Sequence, residues 1–282
     1  MKPYEDFIHA DSDYYVYSPS ITAQNMFFYP LYTGHFIYQQ GYSLHRDSYD
    51  SFLLMYIQSG SLTLSYEGRT EEVPAGYFVF IDCYKPHSYC CLNSCECIWC
   101  HFDGLTAKAH YSSVVARLGN VFSMIDPYPT VTMLTAIYNI FQSGDAIKEP
   151  LISKYLTDIM TSFLLYTPYK INSPDYTGMA ERTISYINEH FAEKLSIEQL
   201  AGQAGLSPYH FIRTFKRETG LTPYEYLVNT RMNTAKYLLK NSRLSIKDIC
   251  FNTGFSSESV FCNAFKKHQG TTPTEYRALA AI

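Results

Sequence analysis

The sequence SIEQLAGQAGLS, residues 196–207, returns as SIKDICFNTGFS, residues 245–256, at a shift of 49 positions. After a one-residue insertion the match continues at a shift of 50, where Thr222-Pro223 corresponds to Thr272-Pro273. An internal repeat of this kind indicates two copies of one structural unit. The C-terminal third of the chain is therefore predicted to contain one supersecondary motif twice.

Each copy carries the residues that start and stop a helix-turn-helix. A serine can cap a short helix, a glycine nine residues later can end it with a positive φ, and a second helix can follow. These features predict helix-turn-helix modules at about 196–217 and 245–267.

The segment between the copies, Tyr224 to Lys240, is predicted to be one helix. Val228, Met232, Ala235 and Leu239 recur at helical spacing, and no Gly or Pro interrupts them. Two recognition helices can enter successive major-groove segments only if they are held roughly 34 Å apart. A continuous helix would supply that rigid connection.

Charge is divided unequally along the chain. Residues 1–177 carry 9 Lys and Arg against 17 Asp and Glu, and residues 178–282 carry 13 against 9. The two parts thus have net charges of −8 and +4 within a total of −4. A basic segment can exchange counterions for phosphates, whereas an acidic segment is repelled. Any nucleic-acid contact is therefore expected in the C-terminal part.

Short β-rich runs separated by turn residues fill the chain from about Tyr14 to Phe102. Apolar and polar residues alternate in these runs, as is typical of half-buried strands. The runs include residues 52–57, 62–66 and 77–81, with turns predicted at 59–61 and 67–68. Many short strands at this spacing predict an antiparallel barrel or sandwich.

Longer apolar periodicities from about Ala107 to Tyr169 predict helices, for example over 131–141 and 151–165. In the second of these, Leu151, Tyr155, Ile159 and Phe163 fall on one face, which can pack on the strands or on another subunit. We expect this helical segment to dimerise. Residues 170–178 contain Pro, Gly and small polar residues without apolar periodicity, which predicts a linker.

The stretch from about Thr183 to Arg277 resembles the DNA-binding domain of AraC/XylS-type transcription regulators. The likeness covers both modules and a late block with Gly254-Phe255-Ser256, Phe265-Lys266-Lys267 and Thr272-Pro273. The N-terminal strands are similar to the cupin-like sensor half of that family, notably at Pro86-His87-Ser88-Tyr89 and Trp99-Cys100-His101.

The resemblance implies an α+β, multidomain chain. Residues 1–106 would form a cupin-like or jelly-roll effector-binding barrel and 107–169 a helical dimerisation segment. Residues 170–178 would be the linker, and 179–282 an all-α domain of two helix-turn-helices joined by a long helix. Its function would be that of a ligand-responsive regulator bound to double-stranded DNA.

The second helix of the first module is predicted to face DNA with its polar side. Phe211 and Phe215 point inward at i and i+4, so the outward residues are Tyr209, His210, Arg213, Thr214, Lys216 and Arg217. By position in the family, Tyr209, Ile212 and Arg213 stand where bases are contacted. Arg213 can bind guanine O6 and N7 with both arms of its guanidinium, or contact phosphate instead, and Ile212 can equally be a core residue.

The corresponding helix of the second module carries no basic residue at the matched positions. Those positions are Glu258, Ser259, Cys262 and Asn263, preceded by Ser257. Asn263 can pair with an adenine edge, whereas Glu258 can accept from cytosine or simply complement the helix dipole. Lys266, Lys267, Arg231 and Arg243 are expected to contact the DNA backbone, unless the two lysines form a solvated face.

The N-terminal strands do not carry the ligand set of a metallo-cupin enzyme. Such enzymes need about three His or carboxylate side chains converging on one ion. The corresponding segment is His45-Arg46-Asp47, without a second His or a spaced Glu. We therefore expect ligand binding without metal, cofactor or catalysis. A cupin enzyme fused to a DNA-binding module remains the alternative.

A small effector, commonly a sugar, is what the resemblance implies for this half. Arg46, Tyr89 and Trp99 match pocket residues of the family's arabinose-responsive member, and Cys97 replaces a histidine there. His87 and His101 are further candidates, with hydrogen-bonded core histidines as the alternative. An indole face can pack on a pyranose while guanidinium and phenol groups bind its hydroxyls, although Trp99 can also be a core residue.

Five of the eight cysteines crowd into one segment: Cys90, Cys91, Cys95, Cys97 and Cys100. Only Cys97 and Cys100 have the two-residue gap of a zinc pair, and on a strand they would face opposite sides. The cluster is interpreted as small buried hydrophobes, with a thiol sensor or a zinc site as alternatives.

The longest apolar run in the first half, Phe52 to Ile57, has six residues, against roughly 18 needed to cross a bilayer. No export signal precedes it, so we expect a cytoplasmic protein with reduced thiols and no membrane partner. The expected partners are operator or promoter DNA, a small effector, a second copy of the chain and, for an activator, RNA polymerase.

Overall fold

The computed structural model describes residues 1–144, 146–166 and 178–279. In the N-terminal unit, Met1–Tyr169, runs of alternating apolar and polar residues form strands. The strands are β1 (Asp13–Val16), β2 (Phe28–Tyr38), β3 (Ser43–Arg46), β4 (Phe52–Tyr66), β5 (Arg69–Pro74), β6 (Tyr77–Asp82), β7 (His87–Cys90), β8 (Cys95–Gly104) and β9 (Val121–Ser123). All pair antiparallel, in the order β1-β2-β8-β4-β6-β9, while β5 and β7 also pair with β4, and β3 pairs with β7.

Strand β4 serves both halves of the sheet because it bends in the middle. Its first half pairs with β6 and β8, and its second half pairs with β5 and β7. The register shifts between Ile57 and Ser59, and Gly60 follows with a φ of +72°. A Cβ on Gly60 would lie 1.9 Å from the Ser94 carbonyl oxygen, so only glycine fits. The predicted turn at 59–61 is wrong, because the chain continues through a bulge as one strand.

The sheet is open over the described residues. Strands β1 and β9 end the main path, and β3 and β5 each have one partner. The expected closed barrel is thus corrected to an antiparallel sheet bent at β4, because one strand supplies both halves and four strands keep an unpaired edge.

The two faces of β8 belong to two different cores. Cys95, Cys97 and Trp99 pack on the side of β3, β4 and β7, whereas Cys100 and Phe102 pack against helices. This is the alternation predicted for a strand, including the opposite placement of Cys97 and Cys100.

Among the described residues, four helices accompany this sheet: α1 (Ile21–Met26), α2 (Ala107–Leu118), α3 (Tyr128–Gln142) and α4 (Glu149–Leu165). The apolar stripe of α4 is buried within the unit at Leu156, Ile159 and Phe163. The ring centroids of Phe163 and Phe78 lie 5.2 Å apart. Packing on the strands is thus confirmed for most of this stripe, while Leu151 stays exposed at its edge. The dimerisation of this segment stays a prediction.

The C-terminal unit, Lys170–Ile282, is helical over its described part, residues 178–279. Its helices are α5 (Met179–His190), α6 (Ile197–Gln203), α7 (Pro208–Thr219), α8 (Pro223–Asn241), α9 (Ile246–Asn252), α10 (Glu258–Gln269) and α11 (Pro273–Leu279). The predicted linker, 170–178, lies outside the described residues except for Gly178. Helix α8 confirms the single helix predicted between the repeats.

The repeat forms two helix-turn-helices, α6–α7 and α9–α10. Each of the four helices starts at a serine whose hydroxyl accepts a backbone N–H three residues later; the caps are Ser196, Ser207, Ser245 and Ser257. Helix α8 contributes Leu227 to the core of the first module, and Met232, Ala235 and Leu239 to the core of the second. One helix therefore belongs to both modules. No helix among the described residues is long and apolar enough to span a membrane.

Candidate nucleic-acid interface and ligand cavity

Helix α7 exposes a basic and aromatic face. Phe211 and Phe215 are fully buried, as predicted. The side chains of Tyr209, His210, Arg213, Lys216 and Arg217 are exposed. Tyr209, Arg213 and Lys216 follow one another at i, i+4 and i+7, so they lie on one side of the helix. A helix presenting this face to a major groove can offer a guanidinium to guanine and a phenol and an ammonium to neighbouring groups.

One residue of α7 differs in exposure from the sequence prediction, and another falls between its two alternatives. Thr214 was expected to face outward, but it is buried beside Phe215, because the packed face is wider than an i, i+4 stripe. Ile212 is half-buried against the core of the first module. Arg213 makes no hydrogen bond or ion pair with the described residues, whereas Arg217 lies 3.4 Å from the Glu218 carboxylate.

Helix α10 presents a more neutral face. Glu258, Ser259 and Asn263 are exposed, and Ser257 is the N-cap. Glu258 stands in the first turn, where a carboxylate complements the helix dipole. Cys262 is half-buried against the core of the second module, and burial raises the pKa of its thiol.

Lysines stand in the last turn of both α7 and α10. Lys266 and Lys267 are exposed in the last turn of α10. Lys266 contributes to a lowered pKa of Glu275, which stands in the first turn of α11. Its repeat counterpart Lys216 contributes in the same way to a lowered pKa of Glu225, in the first turn of α8. The principal cause of both low pKa values is a backbone N–H bond from the capping threonine.

Arg231 is half-buried and hydrogen-bonded within the C-terminal unit. Its Nε donates to the Phe191 carbonyl oxygen at 2.8 Å, and its Nη2 donates to the Glu193 carbonyl oxygen at 2.8 Å. Phe191 is the C-cap of α5, and Glu193 lies in the segment that follows this helix. Two of the five N–H donors of Arg231 are therefore used by the protein backbone, and its contact with a DNA phosphate stays a prediction.

The N-terminal unit contains a cavity of about 370 Å³. Four of the six predicted effector residues line it: Arg46, Tyr89, Trp99 and His101. They come from β3, β7 and β8, which the bent sheet brings together. Residues that the sequence did not single out also line the cavity, among them Pro3, Tyr4, Glu5, Tyr14, Tyr32, Phe36, Tyr38, Tyr42, Tyr49, Leu53 and Met55.

Charge in this cavity comes from Arg46 and Glu5. The Arg46 guanidinium stacks 4.4 Å from the centroid of the Tyr49 ring and has no carboxylate within ion-pair distance among the described residues. Glu5 accepts a hydrogen bond of 3.0 Å from the Tyr42 hydroxyl. Burial raises the pKa of the Tyr42 and Tyr89 phenols, so both stay neutral donors and acceptors.

His101 is buried and neutral. Burial, followed by the positive charge of Arg46 and by His87, lowers its pKa to about 3. Its Nδ1 lies 2.8 Å from the Ser51 hydroxyl oxygen. The Trp99 indole, 7% exposed, packs edge-on against Phe36, and its Nε1 has no hydrogen-bond partner among the described residues. Gly34 leaves room for the indole, because a Cβ there would lie 2.5 Å from the ring.

The other two predicted effector residues do not line this cavity. Cys97 is fully buried in the core beside Cys95. His87, 2% exposed, donates from Nδ1 to the Lys85 carbonyl oxygen at 2.9 Å, which leaves its Nε2 as an acceptor without a partner among the described residues. Burial lowers the pKa of His87. Sequence alternation could place these residues on a strand face but could not locate the empty space.

The thiols of the cysteine-rich segment are mostly inaccessible. Cys91, Cys95, Cys97 and Cys100 are buried, and Cys90 is half-buried. Burial raises the pKa of the Cys91, Cys97 and Cys100 thiols, which keeps them protonated and poorly nucleophilic. Among the described residues, no three His, Cys, Asp or Glu side chains are grouped so that they could hold a metal ion.

Comparison with known proteins agrees with the helical repeat. A family model described as a helix-turn-helix domain matches residues 200–279. The chain is 39% identical over 97 residues to the bifunctional transcriptional activator/DNA repair enzyme AdaA of Bacillus subtilis, covering 34% of this chain and 46% of AdaA. The chain thus spans less than half of that protein. The DNA-binding domain of AdpA, solved with a target DNA, aligns at 30% identity over 36% of this chain and 90% of that chain, with a TM-score of 0.35.

Two relatives match over most of their length. The Msm operon regulatory protein of Streptococcus mutans is 25% identical over 259 residues, which cover 84% of this chain and 88% of that protein. The MmsAB operon regulatory protein of Pseudomonas aeruginosa is 24% identical over 256 residues, which cover 88% of this chain and 82% of that protein. The C-terminal unit thus carries an AraC-type double helix-turn-helix, and the relatives that match most of the chain are regulators of the AraC family.

Proposed function

We propose that this regulator responds to a sugar or a related small molecule bound in the cavity of its N-terminal unit. The observation that carries the proposal is the convergence of Arg46, Tyr89, Trp99 and His101 on one cavity. Its volume, about 370 Å³, lies within the usual range of small-molecule sites.

The lining suits a polyhydroxy ligand. The Arg46 guanidinium can donate several hydrogen bonds in a fixed geometry, and the neutral phenols of Tyr42 and Tyr89 can donate or accept. Aromatic walls cover the apolar faces of a sugar ring. With a sugar bound in its cavity, the N-terminal unit would serve as the cupin-like, effector-binding half that the resemblance implies.

The proposed mechanism couples the cavity to DNA through a change in how the N-terminal unit presents the DNA-binding unit. Two subunits, associated through residues 107–169, would engage paired half-sites, and both recognition helices of each subunit would enter successive major-groove segments. The ligand must bind one arrangement more tightly than the other for this coupling to operate. An activator would also contact RNA polymerase.

A melting screen tests the ligand proposal. Purified protein is heated with a panel of mono- and disaccharides, and a ligand present at 100 times its Kd should raise the melting temperature by roughly 5 to 10 °C. The shift should vanish in Arg46→Met and persist in Arg69→Met, which removes an exposed arginine of the same unit outside the cavity.

The contrary results are equally specific. If no sugar shifts the melting temperature, the sugar proposal is wrong. A shift with zinc or peroxide alone would instead move the sensor to the cysteine-rich segment, where Cys90 is the half-buried thiol.

A further inference from the structure

One arginine contacts both helix-turn-helix modules. Arg231 in α8 donates to the carbonyl oxygens of Phe191, the C-cap of α5, and of Glu193 just beyond it, each at 2.8 Å. Helix α5 belongs to the first module, because Ile187 lies in that core. These hydrogen bonds therefore hold α8 to the first module in addition to the apolar packing of Leu227.

The same guanidinium reaches the second module. It lies 5.6 Å from the centroid of the Phe255 ring, and Phe255 belongs to the second core. Phe255 directly follows the turn of that module. A guanidinium stacked on an aromatic ring while its N–H groups bind carbonyls is held in one orientation.

A glycine contact reinforces this junction. Gly254, in the turn of the second module, has a φ of +77°, and a Cβ there would lie 2.8 Å from both the Phe191 and Ala192 carbonyl oxygens. Gly205 occupies the same place in the first module with a φ of +66°, but nothing lies within 4 Å of its Cβ position. The repeat thus needs glycine for backbone conformation in both turns, and for close approach only in the second.

We propose that Arg231 and Gly254 fix the two recognition helices relative to each other and thereby set the spacing between the two DNA segments that the chain accepts. The inference rests on both helices entering DNA together, as proposed above. One base pair of spacing changes the separation of two sites by about 3.4 Å along the axis and turns one about 35° around it. A rigid junction rejects such a change, whereas a loosened junction tolerates it.

The test measures spacing preference. Binding selection with the full-length protein first identifies its two-segment site, and a second selection uses those segments separated by spacers from three base pairs shorter to three longer. The wild-type protein should enrich one spacing. Arg231→Met, which keeps an apolar stem but no donors, should lose at least fivefold of its preference for that spacing over its neighbours. Arg231→Lys, which can reach one carbonyl, should lose less.

Two matched variants separate this effect from loss of charge and from strain. Arg243→Met removes an exposed cation of the same unit and should weaken binding equally at all spacings. Gly205→Ala and Gly254→Ala place a side chain at similar positive φ, but only Gly254→Ala meets the Phe191 and Ala192 carbonyl oxygens. Gly254→Ala should therefore broaden the spacing profile, and Gly205→Ala should not.

The spacing profiles of the wild-type protein and its variants decide whether Arg231 and Gly254 set the accepted spacing. A wild-type spacing profile in any folded variant among Arg231→Met, Arg231→Lys and Gly254→Ala overturns the inference; if Arg231→Met does not fold, the other two decide. If the wild-type protein itself selects a single segment with no fixed spacing, joint entry of the two helices fails, and the inference fails with it. A fixed wild-type spacing retained by the variants overturns only the role of Arg231 and Gly254.

Discussion

Arg213 is the exposed side chain of α7 best suited to select a base. It makes no ion pair or hydrogen bond with the described residues, so its guanidinium is available to a guanine. Arg231 shows the opposite case, since sequence alone assigned it to phosphate, and its carbonyl partners lie 38 and 40 positions away. Exposure on a helix follows from local periodicity, whereas a partner that distant in sequence does not.

We predict that Arg213→Ala weakens specific DNA binding by about 1 to 3 kcal/mol and relaxes the preference at one base pair. Arg213→Lys should keep part of the affinity but lose the base preference, because an ammonium cannot form the two-armed contact. Binding selection with each variant measures both quantities. An unchanged preference at every base pair would contradict this assignment.

His101 makes the N-terminal unit sensitive to acid. Its pKa is about 3 in the folded chain and about 6.5 when unfolded, so the stabilisation is complete above pH 6.5 and is lost progressively as the pH falls toward 3. At pH 5 we expect a loss of about 2 kcal/mol of unfolding free energy relative to pH 8. Denaturant titrations should show a smaller loss in His101→Gln and an unchanged one in exposed His45→Gln. Equal losses in wild type and His101→Gln would refute the prediction.

At the scale of elements, helices were predictable and the bend of β4 was not. Serine caps, glycine stops and apolar spacing are all local, so they determined α6 to α10 closely. The bulge at Ile57 and Ser59 depends on the Ser94 carbonyl, which lies 34 positions beyond Gly60. A local pattern with glycine between two strands favours a turn, and only the long-range pairing shows otherwise.

The caps of the repeat should contribute measurably to stability. The Ser245 hydroxyl accepts a hydrogen bond of 3.0 Å from the Asp248 backbone N–H. The Asp248 carboxylate in turn accepts one of 3.2 Å from the Ser245 backbone N–H. Ser245→Ala should lower the free energy of unfolding of the second module by about 1 kcal/mol. Exposed Ser256 has no hydrogen bond from its hydroxyl to the described residues, so Ser256→Ala should change stability little. Equal effects of the two variants in denaturant melts would refute the cap.

The last turn of α10 should set part of the salt dependence of DNA binding. If Lys266 and Lys267 contact phosphates, replacing both with Gln should reduce the slope of log K against log salt by about 1.8. The control replaces two exposed lysines of the acidic unit, Lys108 and Lys154, and should leave the slope unchanged. An unchanged slope in the first pair would make these lysines a solvated face.

In the whole molecule, the boundary between the acidic and the basic part of the sequence nearly coincides with the boundary between the two structural units. The basic part of the sequence forms the helix-turn-helix unit, and the acidic part forms the sheet with the cavity. The sequence predicted four residues that line the cavity, but not Tyr42, Glu5 or the other walls, because a cavity is a property of packing among distant segments. It also placed His87 and Cys97 there, whereas both lie in the surrounding protein.

We propose that a ligand in this cavity changes how the chain engages DNA. The most direct test is a binding titration of the full-length protein on its selected DNA site, with and without a saturating concentration of the sugar that most raises the melting temperature. We predict at least a fivefold change in Kd, or a change in the preferred arrangement of half-sites, in the wild-type protein and neither change in Arg46→Met. The same Kd and the same half-site preference in the presence and absence of bound sugar would rule out coupling between the cavity and DNA binding.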